Sequence, residues 1–217
     1  MSARDEVCRR IEEVGIVPVI RLPSAELAAR AAEALFAGGI PIFEITLSVP
    51  DAPAVIRSLV ERFGARALVG AGTVLDAERA RACIDAGAAF IVSPGTDLHT
   101  IEAARARGVA VMPGALTPTE VLSAWNAGAE FVKVFPCSAL GGASYLRALK
   151  APLPHVKLLP TGGVNLETAR DYIMAGAAAL GVGSELVDPA LVGAGRDAAV
   201  SERAERFVSI VRQARNR

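Results

Sequence analysis

The chain has 217 residues, and its 23 Lys and Arg balance its 23 Asp and Glu, so the formal net charge is zero. Because 52% of the residues are hydrophobic, the composition excludes a disordered chain, and the lack of a basic excess argues against nucleic-acid and anionic-membrane partners. The three cysteines and two histidines are too scattered for a disulfide framework or a zinc site. The charged start is unlike a signal peptide and no apolar run is long enough to span a bilayer, so we expect a cytoplasmic protein.

Short apolar, β-branched runs alternate with Ala-rich amphipathic segments along the whole chain. The runs span residues 16–20, 42–47, 67–70, 90–93, 109–112, 131–135, 156–159 and 179–182. Strand–helix alternation predicts a parallel sheet, and so many units in about 200 residues favour a closed (β/α)8 TIM barrel. We therefore expect a single α/β domain over residues 1–217, with an N-terminal and a C-terminal helix. An open doubly wound sheet is the structural alternative.

Several residues mark where the predicted helices begin. Residues 117–120 read Thr-Pro-Thr-Glu, a capping box with Pro at the first helical position. Asp51, Asp76 and Asn165 each follow a predicted strand and are good N-cap residues. The last predicted helix, over residues 201–215, is amphipathic and is expected to pack on the barrel.

A lysine interrupts the apolar run 131–135. Lys133 stands between valines and phenylalanines, and burial there favours the neutral, nucleophilic amine over the charged ammonium. A lysine at a sheet edge that reaches solvent is the alternative interpretation.

Two further charged residues lie in or at the end of predicted strands. Glu44 shares one strand face with Thr46, and a carboxylate directed into a barrel needs a partner or a raised pKa. Lys133 is a suitable partner, and the two residues would supply a nucleophile and an acid/base; a purely structural ion pair is the alternative. Arg21 ends the first strand, where it suits a carboxylate or phosphate, although a surface salt bridge would explain it equally well.

Glycine-rich segments follow three of the predicted strands. Residues 70–73 read Gly-Ala-Gly-Thr, but the third glycine of a dinucleotide loop is missing, so we do not expect NAD. Gly162 and Gly163 follow the seventh strand, and Gly183 and Ser184 follow the eighth. Backbone amides after these two strands form the recurring phosphate site of such barrels, with tight turns that bind nothing as the alternative.

The chain resembles the 2-keto-3-deoxy-6-phosphogluconate (KDPG) aldolases, also called KDPG/KHG aldolases. The matching segments are VPVIR, GGIPIFEITLSVPDA, VGAGTVLDAE, IVSPG, VMPGALTPTE, FVKVFP, LPTGGVNLET and GVGSELV, in one order over about residues 15–190. The combination of EITL, FVKVFP and PTGGV is the specific part. The resemblance implies a class I aldolase on a (β/α)8 barrel, a homotrimer with no metal and no cofactor, whose partner is a small 2-keto acid sugar phosphate.

The resemblance also implies roles for individual residues. Lys133 matches the Schiff-base lysine and Glu44 the general acid/base. The positions around the pyruvyl group are Thr73, Pro94, Phe135 and Thr161, and those of the phosphate site are Gly162, Gly163 and Ser184, beside the Gly183 of the same predicted loop. In one departure, Ser48 stands where some members carry arginine after the glutamate; Arg21 is present instead, as in phosphogalactonate aldolases. This exchange is compatible with Arg21 binding the substrate carboxylate, and it leaves the preferred stereochemistry open.

The expected reaction is cleavage of KDPG to pyruvate and glyceraldehyde 3-phosphate, with 4-hydroxy-2-ketoglutarate (KHG) as a further substrate. The nearest alternative is the 2-keto-3-deoxy-6-phosphogalactonate aldolase reaction. A phosphate-binding barrel isomerase without imine chemistry, or a sugar-phosphate-binding regulator, would share the late glycine loops. Neither of these would need both Lys133 and Glu44, which is why the aldolase interpretation is preferred.

Overall fold

The strands of the barrel follow the predicted apolar runs. The computed structural model describes residues 2–216. Within them the strands are β1 Ile16–Ile20, β2 Ile42–Thr46, β3 Leu68–Gly72, β4 Phe90–Val92, β5 Ala110–Met112, β6 Gly114–Ala115, β7 Val132–Val134, β8 Leu158–Pro160 and β9 Leu180–Val182. Every pairing between these strands is parallel. The third run extends further than predicted, and the short β6 was not predicted.

The two sheets join into one closed barrel. Their strand orders are β5-β4-β3-β2-β1-β9 and β6-β7-β8. β5 and β6 form one barrel strand that is interrupted at Pro113, which has no N–H to donate. The Lys133 N–H donates to the Pro113 carbonyl at 2.9 Å, so β7 pairs across the interruption. On the other side a bridge between Thr161 and Gly181 joins the end of β8 to β9. This closure confirms the (β/α)8 prediction and excludes the open sheet.

Helices connect the strands and cover the outside of the barrel. They are α1 Ala3–Val14, α2 Ala25–Ala37, α3 Ala52–Phe63, α4 Ala77–Asp85, α5 Leu98–Ala106, α6 Pro118–Asn126, α7 Ala143–Lys150, α8 Ala169–Met174, α9 Pro189–Gly193 and α10 Asp197–Arg215. Short 3-10 helices occupy Gly64–Arg66 and Cys137–Leu140. The last helix therefore begins earlier than predicted. None of the helices in the described chain is both long and apolar enough to cross a membrane.

Two of the predicted helix starts are confirmed. Thr117 and Glu120 form a complete capping box at α6, in which each side chain accepts from the other residue's backbone N–H. The Asp76 side chain caps α4 by accepting from the Arg79 N–H at 2.8 Å. These contacts supply acceptors for backbone N–H groups in the first turn of each helix, which have no acceptor within the helix itself.

Two other predicted starts differ from the structure. Asp51 does precede α3, but its backbone is left-handed at φ 52° and its side chain makes no capping bond. Asn165 is not an N-cap, because α8 begins only at Ala169. The Asn165 side chain instead accepts from the N–H groups of Glu167 and Thr168, both at 2.9 Å, which closes a turn before the helix.

The long C-terminal helix α10 packs against α2 and α8 on the outside of the barrel. Its approach to α2 depends on Gly38, because a Cβ atom there would lie 2.4 Å from the Ser201 carbonyl oxygen. The strands themselves are buried along their full lengths. Polar side chains on them are therefore buried, and the residues that follow the strands line the open end.

Candidate active site

A cavity of about 290 Å³ opens at the carboxyl ends of the strands. In this architecture the loops that follow the strands form the site. The wall includes every site residue predicted from the sequence except Glu44, namely Arg21, Thr73, Pro94, Lys133, Phe135, Thr161, Gly162, Gly163, Gly183 and Ser184. Residues that are far apart in sequence thus meet in one place.

Lys133 lies in the middle of β7, between β6 and β8. Its register partners are Gly114 and Leu159, and only 6% of the residue is exposed. Its Nζ lies 5.1 Å from the centre of the Phe135 ring, and both residues line the cavity. The prediction that this lysine is buried in the barrel is confirmed, and the sheet-edge alternative is wrong.

Glu44 is buried in β2, with 1% of the residue exposed. Its carboxylate extends toward Gly72 on the neighbouring strand, where a Cβ atom would lie 2.0 Å from Glu44 Oε1. This oxygen accepts no hydrogen bond from residues 2–216. Burial raises the pKa of Glu44 above its usual range, and the positive charges of Lys133 and Arg21 oppose that rise.

Glu44 and Lys133 do not form a direct ion pair. In the described chain no contact within 4.0 Å joins the two side chains, so the structure does not contain the buried salt bridge considered from the sequence. The Lys133 charge nevertheless acts on Glu44 by lowering the pKa of that carboxyl. A gap between an amine and an unpartnered carboxyl oxygen leaves room for a reacting group.

Arg21 lies just past the end of β1 and is held by two hydroxyl groups. Its Nη1 donates to Ser48 Oγ at 2.8 Å and its Nη2 to Thr73 Oγ1 at 3.0 Å. Both acceptors are neutral hydroxyl groups, so neither of them offsets the positive charge of the guanidinium at the cavity wall. The surface salt bridge considered from the sequence does not form with the described residues.

The remaining wall is shaped by close backbone approaches. Gly181 leaves space for Thr161, because a Cβ atom at Gly181 would lie 2.1 Å from Thr161 Oγ1. Gly114 does the same for the loop after β4, since a Cβ atom there would lie 2.1 Å from the Pro94 carbonyl oxygen. Small residues on neighbouring strands therefore set where the pyruvyl-site candidates stand.

The two glycine-rich loops both line this cavity. Gly162 and Gly163 have positive φ values of 86° and 76°, which only glycine adopts at low cost. The backbone N–H groups of Gly162, Gly163, Gly183 and Ser184 donate no hydrogen bond to another residue in the range 2–216. Backbone N–H groups that line a cavity and have no acceptor in the protein are suited to binding an anion.

The family assignment agrees with this geometry. A sequence model described as KDPG and KHG aldolase matches residues 7–202. The chain belongs to this aldolase family. It is 34% identical over 201 residues to the 2-dehydro-3-deoxy-phosphogluconate aldolase of Treponema pallidum. The aligned region covers 93% of this chain and 95% of the relative. It is 37% identical over 172 residues to the 2-dehydro-3-deoxy-6-phosphogalactonate aldolase of Escherichia coli K12, covering 79% of this chain and 83% of the relative.

A solved structure of the family is also similar. The KDPG aldolase from Legionella pneumophila, with pyruvate captured at low pH as a covalent carbinolamine intermediate, superposes with a TM-score of 0.86. The match has 31% sequence identity and covers 92% of this chain and 97% of that one.

Some residues of this aldolase site were not found from the sequence. Ser48 was noted only as a departure from arginine, yet it contacts Arg21 directly. Gly72 was treated as part of a loop, yet it determines where the Glu44 carboxylate lies. Val19 and Glu185 also line the cavity. The positions of Ser48 and Gly72 in the sequence could have indicated them. Gly72 ends β3 and Ser48 follows β2, and each of these strands neighbours a strand that carries or is followed by a predicted site residue.

Proposed function

We propose that this chain is a class I aldolase that cleaves KDPG to pyruvate and glyceraldehyde 3-phosphate. The observation that carries the proposal is that a single cavity joins the buried Lys133, the Arg21 guanidinium and the backbone N–H groups of two glycine loops, which have no acceptor among residues 2–216. A 2-keto acid with a distal phosphate has a group for each of these features. The direction of the Glu44 pKa shift, raised by burial, supports its role as an acid/base.

The covalent cycle begins and ends at Lys133. The neutral amine attacks the C2 ketone to give a carbinolamine, and loss of water leaves a protonated imine. Glu44, directly or through a water, moves the protons in these steps and removes the C4 hydroxyl proton. The C3–C4 bond then breaks, its electron pair enters the imine as an enamine, and glyceraldehyde 3-phosphate leaves. Protonation at C3 and hydrolysis release pyruvate and restore Lys133.

The two ends of the cavity position the substrate for this cycle. Arg21 binds the carboxylate at one end, and the amides of Gly162, Gly163, Gly183 and Ser184 bind the phosphate at the other. Phosphate binding far from the breaking bond supplies energy that aligns C4 with the acid/base. Thr73, Pro94, Phe135 and Thr161 surround the pyruvyl group in this arrangement.

A second candidate is cleavage of the galactonate epimer. The presence of Arg21 together with Ser48 favours it. Some family members carry arginine at the position of Ser48, whereas this chain has Arg21 instead, as the phosphogalactonate aldolases do. KHG, which carries a second carboxylate in place of the phosphate-bearing end, is a further candidate substrate. The isomerase and regulator alternatives lose support from the joint presence of Lys133 and Glu44 near one cavity. A homotrimer remains our expectation from the family resemblance.

Borohydride trapping with pyruvate tests the imine chemistry. The chain has three lysines, and the other two are engaged elsewhere: Lys150 donates to the carbonyls of Pro154 and Val156, and Lys157 pairs with Glu12. We expect one reduced pyruvate per chain, located on Lys133 by peptide mapping. Lys133→Met should take up none, and Lys150→Arg, the matched control, should label like the wild type.

An adduct on Lys150 or Lys157, or no adduct in the folded wild type, would overturn the proposal. The choice between epimers follows from coupled assays of pyruvate release with each purified sugar phosphate. A larger kcat/KM for the galactonate compound would favour the second candidate.

A further inference from the structure

The hydroxyl groups beside Arg21 form a directional chain of hydrogen bonds. Arg21 Nη1 donates to Ser48 Oγ at 2.8 Å. Thr46 Oγ1 donates its single proton to the Ile20 carbonyl at 3.0 Å, so Ser48 must be the donor in its 2.8 Å contact with Thr46 Oγ1. The Ile20 carbonyl belongs to the peptide bond that precedes Arg21. The chain therefore starts at the guanidinium and ends on the backbone that carries it.

A second acceptor fixes the other end of the guanidinium. Arg21 Nη2 donates to Thr73 Oγ1 at 3.0 Å. Thr73 adopts φ 60°, a left-handed conformation that is unfavourable for a β-branched residue. Strain of this kind persists where the surrounding structure enforces it and is concentrated at functional sites. A glycine would adopt this backbone without strain, but it would not supply the hydroxyl.

The two hydroxyls orient Arg21 without neutralising it. No carboxylate of residues 2–216 lies within 4.0 Å of its guanidinium. Two of the five N–H groups are used by Ser48 and Thr73, and the others stay available to a ligand. Arg21 and Thr73 line the cavity, whereas Ser48 does not, so Ser48 acts on a ligand only through Arg21.

We infer that Ser48 is a positioning residue that, together with Thr73, fixes the Arg21 guanidinium for the carboxylate of the 2-keto acid. This inference rests on the proposed aldolase function. It assigns a role to the residue at which this chain departs from the arginine-bearing pattern. Because a planar guanidinium binds a carboxylate through two parallel N–H groups, its orientation determines how tightly the acid is held.

The test measures how borohydride trapping depends on pyruvate concentration. In Ser48→Ala the concentration for half-maximal labelling should rise about 3- to 10-fold, the range for one exposed hydrogen bond. Maximal labelling should stay unchanged, because Lys133 is not altered. Ser48→Thr should restore the wild-type value, and Ser58→Ala, on the exposed surface of α3, is the matched control. Pyruvamide, which lacks the carboxylate, should label the Ser48→Ala variant and the wild type equally.

A double-mutant cycle identifies the residue through which Ser48 acts. In an Arg21→Gln background, Ser48→Ala should cause no additional change in half-saturation. An undiminished effect there, or wild-type half-saturation in both Ser48→Ala and Ser48→Gly, would overturn the inference. Failure of the wild type to trap pyruvate would instead overturn the aldolase proposal itself, so the two failures are distinguishable.

Discussion

Gly72 and Glu44 are packed so closely that the glycine determines the position of the carboxylate. A Cβ atom at Gly72 would lie 2.0 Å from Glu44 Oε1 and 2.6 Å from its carboxyl carbon. In the register of β2 and β3, Gly72 lies opposite Thr46, two positions beyond Gly70, which is opposite Glu44. The carboxylate therefore extends along the barrel toward the open end, across a strand that has no side chain to stop it.

Gly72→Ala should separate catalysis from folding. The methyl group would meet the end of a flexible side chain, so we expect the fold to persist and the carboxylate to move. A displacement of about 1 Å at a catalytic group reduces kcat by up to about 100-fold. The measurement is kcat for KDPG together with circular dichroism. Gly193→Ala is the matched control, because a Cβ atom there meets nothing within 4 Å. Unchanged kcat in folded Gly72→Ala would contradict this account of Glu44.

The sequence predicted the barrel because its strands are buried on both faces. Such strands appear as continuous apolar runs, and the predicted run 16–20 coincides with β1. The interruption at Pro113 was not predicted, since whether a proline ends a strand or only breaks its ladder depends on the neighbouring strands. The start of α8 was misplaced for a related reason: the side chain of Asn165 serves a turn as well as it would serve a helix end.

The candidate site was predictable where it depends on a charged residue inside an apolar strand, such as Lys133, or on a glycine loop after a strand, such as Gly163. These positions follow from chain order, because all strands of a parallel barrel end at the same face. Ser48 and Gly72 were missed because their importance comes from contacts across strands. Such contacts require the register and the side-chain directions, which a single sequence does not contain.

Glu44→Gln should change how stability depends on pH. Burial raises the pKa of Glu44, so the folded protein keeps this proton at pH values where the unfolded chain, with a pKa of 4.5, has lost it. The free energy of unfolding of the wild type therefore falls as pH rises from 4.5 through the folded pKa. Glutamine does not titrate, so the variant should gain stability relative to the wild type as pH rises. Urea unfolding below pH 4.5 and at neutral pH measures this.

Glu120→Gln provides a control of opposite sign. Hydrogen bonds from the backbone N–H groups of Thr117 and Leu116 lower the pKa of Glu120, so this carboxylate stabilises the fold above pH 4.5 and stops doing so as pH falls. Its variant should be less stable than the wild type at neutral pH, with a difference that shrinks in acid. If the stability difference between variant and wild type changed with pH in the same direction for Glu44→Gln and Glu120→Gln, the assignment of a raised pKa to Glu44 would be contradicted.

Thr73→Gly should weaken substrate binding without weakening the fold. Glycine relieves the strain at φ 60°, about 1–2 kcal/mol, while its freedom in the unfolded chain costs about 0.4–1 kcal/mol. We expect the free energy of unfolding to stay constant or rise by about 1 kcal/mol. Loss of the hydroxyl that holds Arg21 should raise the KM for KDPG about 3- to 10-fold. Urea unfolding and steady-state kinetics give the two values, with Thr73→Ser as the variant that keeps the hydroxyl. A clear loss of stability in Thr73→Gly would show that the threonine is required by the fold.

Ser184→Asp should act on phosphorylated substrates only. Ser184 is exposed at the cavity mouth beside the amides of the glycine loops, and a carboxylate there would repel a phosphate dianion. We expect a rise of about 10- to 100-fold in the KM for KDPG, since placing like charges side by side in a binding site costs several kcal/mol at most. Pyruvate trapping on Lys133 should be unchanged, because pyruvate does not reach the glycine loops. Ser58→Asp on the exposed face of α3 controls for the added charge. Equal losses for KDPG and pyruvate would mean that the loops after β8 and β9 shape the whole cavity rather than bind the phosphate.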